Sequence, residues 1–110
     1  MKKVIYPNLP TVTDEFEVFD EATYRIMEKD EMGDVNQYLK DGSFFEMFKR
    51  TTFLVYRYYP FNSYFGLYKG YYASNGYIRN KGLFYVESFA KGLWYDFDEK
   101  GHLIKTTDYD

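Results

Sequence analysis

At 110 residues, 45% of them hydrophobic and 28% charged, the chain suits one domain, residues 1–110, that buries about 65% of its unfolded surface without staples. It has no cysteine, which excludes disulfides and thiolate metal sites, and no run of about 18 apolar residues that could span a bilayer as a helix. The formal charge of −3 hides an asymmetry: nine acids between Asp14 and Asp34 stand against Arg25 and Lys29 alone, while no basic face is clustered enough to favour nucleic acid.

Residues 1–34 read as an N-terminal arm and an acidic helical segment. Met1-Lys2-Lys3 starts like a signal peptide, but Pro7, Asn8 and Pro10 stop any apolar stretch, so the cytoplasm is the expected compartment. A helix is expected to start at Asp20 as N-cap and to end before Gly33. Glu21 lies in its first turn, where the helix dipole favours acid, and Phe19 and Tyr24 are spaced as a hydrophobic staple. Its apolar stripe is modest and suits packing on a sheet.

Residues 35–110 read as β-hairpin repeats. Strands are expected at 35–40, 43–50, 53–59, 64–73, 77–86, 91–97 and 102–107, separated by turn chemistry such as Asp41-Gly42, Asn75-Gly76 and Lys100-Gly101. Connections this short force antiparallel neighbours. The fold class that follows is mainly β: an antiparallel β-meander with one short N-terminal helix. Strand 53–59 is apolar on both faces, so it is central or covered on its second side. Leu93, Tyr95 and Phe97 alternate with Trp94 and Asp96 as a core face and a wet face. The last strand presents an edge that needs protection.

Within this region Gly-Leu-aromatic recurs as Gly66-Leu67-Tyr68, Gly82-Leu83-Phe84 and Gly92-Leu93-Trp94. The first and third lead into one continuation, Tyr72-Ala73-Ser74-Asn75-Gly76-Tyr77-Ile78 and Phe97-Asp98-Glu99-Lys100-Gly101-His102-Leu103, with a weaker relative at Tyr38 to Phe44. A period of about 25 residues implies stacked supersecondary units that share a core. A Gly before Leu-aromatic fits a backbone bend, or a place where a neighbouring ring lies over it.

Over about residues 66–107, and best over Gly92 to Leu103, this pattern resembles the bacterial variant of the MORN-type repeat (membrane occupation and recognition nexus). The resemblance implies a small antitoxin or immunity module that partners a toxin, and it brings no catalytic residues. The acidic helical segment lies outside the pattern, so the lipid binding of longer arrays is not carried over.

Catalytic chemistry has little to stand on. His102, the single histidine, follows a hairpin Gly, and no Ser or Thr is marked as its nucleophile. Asp96 to Gly101 matches the start of a calcium loop, but Lys100 and Thr107 occupy positions that need oxygen ligands, so a hairpin is the better reading. Asp108 and Asp110 read as a frayed, solvated end. No catalytic residue, cofactor or metal is expected. The expected function is protein binding, as an immunity or antitoxin protein that occludes a bacterial toxin. Glu28, Asp30, Glu31 and Asp34 would complement a basic toxin domain, and Tyr56, Tyr58, Tyr59, Tyr64 and Tyr68 would supply contact area. The alternative is a carbohydrate- or envelope-binding β module that stacks the same rings on sugars.

Overall fold

The computed structural model describes residues 11–85 and 89–110. Its elements are α1 (Glu21–Ile26), β1 (Val35–Tyr38), β2 (Phe44–Lys49), β3 (Phe53–Tyr59), β4 (Phe65–Tyr72), β5 (Ile78–Tyr85), β6 (Phe89–Phe97) and β7 (Leu103–Asp108). The seven strands lie side by side in chain order in one antiparallel sheet, which is the meander expected from the turns. The Asn75-Gly76 turn shows why. Gly76 adopts φ 77°, its amide donates to Tyr72 O, and the Asn75 side-chain oxygen accepts from Tyr77 N, so the chain reverses within a few residues. The turn before β7 is built alike: Gly101 has φ 90°, and Asp98 accepts from the amides of Lys100 and His102, the hairpin reading of that segment.

Alternation assigns each strand two faces. On one face Val35, Phe45, Met47, Leu54, Tyr71, Ile78 and Phe97 form the core together with Phe19 from the N-terminal segment. That segment crosses this face as a strap. Phe19 N donates to Gly76 O at 2.8 Å and Ile78 N to Glu17 O at 2.9 Å, around an isolated antiparallel bridge between Val18 and Tyr77. Under the strap lies Lys81, fully buried, whose Nζ donates to Glu15 O at 2.6 Å and to Glu17 Oε2 at 2.5 Å. Lys69 donates to the other oxygen of Glu17 at 2.5 Å, so one carboxylate ties two strands to the strap. A buried lysine is tolerable only with partners of this kind.

The helix is shorter than its sequence suggests. Asp20 caps it, accepting from Thr23 N at 3.0 Å, and the Phe19 and Tyr24 rings meet at 5.9 Å as the staple requires. It stops at Ile26 because Met27 turns extended (ψ 150°), which lays Tyr24 and Met27 against the core and leaves Ile26 exposed. The chain then turns at Asp30, whose carboxylate accepts from the amides of Met32 and Asp34. The tail also departs from expectation. Asp110 accepts from Gly92 N and pairs with Lys91 at 3.1 Å, and Tyr109 N donates to Gly92 O, so the end is docked, not frayed.

Among the described residues, the second face carries no strap. With extents of 45 × 35 × 20 Å, the described residues form a slab two layers thick, sheet and strap. The strap positions everything that follows, because it leaves the opposite face open.

Candidate binding face

The glycine repeat builds the open face. Phe84, the ring of the second Gly-Leu-aromatic unit, lies across Gly66 of the first, and Trp94 of the third lies across Gly82 of the second. Any Cβ on either glycine would fall inside the overlying ring. The ring-over-glycine expectation thus holds at two of the three units. At the third, the backbone bends instead: Gly92 has φ 68° beside a register shift in the β5–β6 pairing.

Rings seated this way continue across strands. Phe44 and Tyr59 lie 5.8 Å apart, Tyr59 meets Phe84 edge-on at 5.6 Å, and Tyr68 stacks on Trp94 at 5.7 Å with 27° between planes. The indole Nε1 donates to Leu83 O at 2.8 Å, which fixes the Trp94 ring in its seat. Between these rings opens a cleft of about 400 Å³ lined by Arg57, Tyr59, Tyr68, Asn80, Phe84, Ala90 and Trp94. Arg57 Nη1 reaches Glu46 Oε1 at 3.3 Å, and the Tyr59 hydroxyl donates to the same oxygen at 3.0 Å. Burial pushes the Tyr59 hydroxyl above its ordinary pKa and the neighbouring Glu46 carboxylate adds to it, so the phenol stays a donor at neutral pH.

The structure divides the five tyrosines singled out by sequence. Tyr59 and Tyr68 line the cleft. Tyr64 stands exposed before β4, its ring 6.3 Å from that of Tyr85. Tyr56 and Tyr58 share the alternation of Leu54 and pack against the core under the strap, where burial raises the pKa of Tyr56. They are not brought together with the other three. The four acids also separate. Asp34 makes a two-pronged pair with Arg50 at 2.9 and 3.1 Å, Asp30 closes its own turn and accepts from Asn36, and Glu28 and Glu31 stand exposed. Much of the remaining acidic segment is also used internally, Glu17 by Lys69 and Lys81 and Glu21 by Lys49.

Sequence reasoning missed Arg57, Asn80 and Phe84, and placed Trp94 on the wet face without naming it as a contact residue. The signal for Arg57 was present: it stands two places from both Val55 and Tyr59 in the strand, so it had to share their face. Phe84 and Trp94 follow from the glycine repeat once the pairing is known, since Gly66 faces Phe84 directly and Gly82 lies opposite the bulge that contains Trp94. Elsewhere the titratable groups offer no cluster of three or more metal-capable side chains among the described residues. The His102 side chain is exposed, 3.4 Å from Asp98. No helix among the described residues is long and apolar enough to cross a membrane. Comparison with family models, with curated proteins and with solved structures finds no match to the chain.

Proposed function

We propose that the chain is a non-enzymatic protein-binding module of the immunity or antitoxin kind, which neutralises a bacterial toxin by covering it with the open aromatic face. The observation that carries this reading is the half-buried ring layer of Phe44, Tyr59, Tyr68, Phe84 and Trp94 around a cleft, which no further layer of the described residues covers. A sheet face of this kind normally buries itself against a further layer. Five strand spacings from β1 to β6, with strands of 4 to 9 residues, give a face of roughly 550 Å², about two thirds of the ~800 Å² that each partner contributes to a standard interface. Tyr and Trp are also the side chains that most often anchor such contacts. Exposed Glu28 and Glu31, at the β1 end of the sheet, supply complementarity to a basic toxin domain and act on its approach. The MORN-like repeat pattern points the same way.

The test is co-expression with the product of the adjacent reading frame. Growth arrest by that product, relieved by this chain and not by its Tyr59→Ala/Trp94→Ala variant at equal folded abundance, is the expected result. Relief that survives loss of both rings contradicts the assignment of the face. A second reading, a carbohydrate-binding module, is favoured by one observation, the near-parallel Tyr68 and Trp94 rings, a stacking surface that also suits a sugar ring.

A further inference from the structure

Among the described residues, Arg57 is the one charged side chain that lines the cleft. A guanidinium carries five N–H donors in a planar fork. Among the described residues a single long contact of 3.3 Å, from Nη1 to Glu46, holds one end of it. The Phe48 and Tyr68 rings lie 5.6 and 5.7 Å from its central carbon, so the group is confined by aromatic neighbours before any ligand arrives. Confinement matters because less side-chain freedom is lost per hydrogen bond made. Glu46, in turn, shares its Oε1 with the Tyr59 hydroxyl and is four-fifths buried, which leaves it a holder of Arg57 more than a surface for a cation. The Trp94 N–H is spent on Leu83 O, so that residue offers only its ring. The cleft therefore combines apolar ring surface with one pre-positioned, incompletely paired guanidinium.

We propose that this cleft receives an acidic side chain of the protein partner, an Asp or Glu flanked by an aliphatic or aromatic residue. The carboxylate takes the unspent N–H groups of Arg57, and the apolar neighbour packs against Tyr68, Phe84 and Trp94. A charge-assisted, forked contact of this sort is the strong form of hydrogen bond, and a lysine or arginine at the same place would meet the like charge of Arg57. The inference rests on the protein-binding reading and names the chemistry of its central contact. With the acidic Glu28 and Glu31 at the β1 end, the partner's footprint has two poles, acid over the cleft and base towards β1, which fixes its orientation on the sheet.

Trp94 is the single tryptophan of the chain, so its fluorescence reports on the cleft alone. The probes are acetyl-Leu-Phe-Glu-Leu-amide, the same peptide with Lys or Gln in place of Glu, and glucose and glucuronate, each titrated into the full chain. The Glu peptide is expected to bind about tenfold or more tightly than the Lys peptide, the Gln peptide falling between them. In Arg57→Gln that preference disappears. In Glu46→Gln it widens, because Arg57 loses its competing carboxylate, a change opposite in sign to general damage. Far-UV circular dichroism of each variant confirms its fold, and Arg57→Lys, which keeps the charge but not the fork, is expected to retain only part of the preference. Equal binding of the Glu and Lys peptides, or a preference that survives in Arg57→Gln, overturns the carboxylate assignment and leaves the protein-binding reading intact. A Trp94 response to the sugars with none to any peptide overturns both.

Discussion

Replacing Gly82 by alanine tests whether rings seated on glycines hold the open face together. Gly82 does not have positive φ, so alanine meets no backbone objection, but its methyl group would enter the Trp94 indole. That ring cannot slide away freely, being bonded to Leu83 O, stacked on Tyr68 and edged by Tyr109 at 6.3 Å. Overpacking costs about 1–3 kcal/mol and loss of the indole hydrogen bond about 1 kcal/mol more, so Gly82→Ala should cost about 2–4 kcal/mol. Trp94→Ala, at a half-buried site, should cost about 3 kcal/mol, the lower end for large rings. In the Trp94→Ala background the obstacle is gone. There Gly82→Ala should be neutral or stabilise by about 0.5–1 kcal/mol, since alanine suits a strand better than glycine. Urea unfolding followed by far-UV circular dichroism measures all four corners of the cycle, and a coupling of about 2–5 kcal/mol is expected. Costs that add to within about 0.5 kcal/mol would refute the seating of Trp94 on Gly82.

Three further outcomes follow from the same geometry. Gly76→Val places a branched side chain at φ 77° and should cost about 1–3 kcal/mol; an unchanged Tm would remove that turn's role. Burial raises the Glu17 pKa, but the hydrogen bonds from Lys69 and Lys81 outweigh it and hold the group below its ordinary value of 4.5. A carboxyl so depressed contributes its full stability above the unfolded value and loses it as pH falls through the folded one, so Glu17→Gln should flatten the acid limb of a stability–pH curve, and an unaltered limb would contradict the clamp. Glu28→Gln with Glu31→Gln should leave Tm unchanged while slowing association with a basic partner and weakening its salt dependence in stopped-flow mixing; adding Asp34→Asn should lower Tm as well, because Arg50 then loses its pair.

What could be read from the sequence was what local chemistry decides. Asp20 as a cap, Phe19 against Tyr24, and the Asn75-Gly76 reversal each depend on neighbours a few residues apart, and each stands in the structure as expected. Strand order followed from short turns. The helix length did not, because its end is set by the distant core that draws Met27 into an extended conformation. Lys81 was equally out of reach: its partners Glu15 and Glu17 lie more than 60 residues away along the chain. The acidic segment looked like a surface because composition cannot say which carboxylates are already paired. Tyr56 and Tyr59 differ by three positions, and that odd number, not their chemistry, puts one under the strap and the other in the cleft.

The central claim is that the strapless face, not the strap, meets the partner. Amide and indole chemical-shift mapping of the full chain, titrated with the product of the adjacent reading frame, tests it most directly. Perturbations are expected to centre on Arg57, Tyr59, Tyr68, Asn80, Phe84 and the Trp94 indole N–H, and to fade towards the strap. Shifts centred on Phe16, Val18 and Ile26, the exposed apolar side chains of the opposite side, would contradict it.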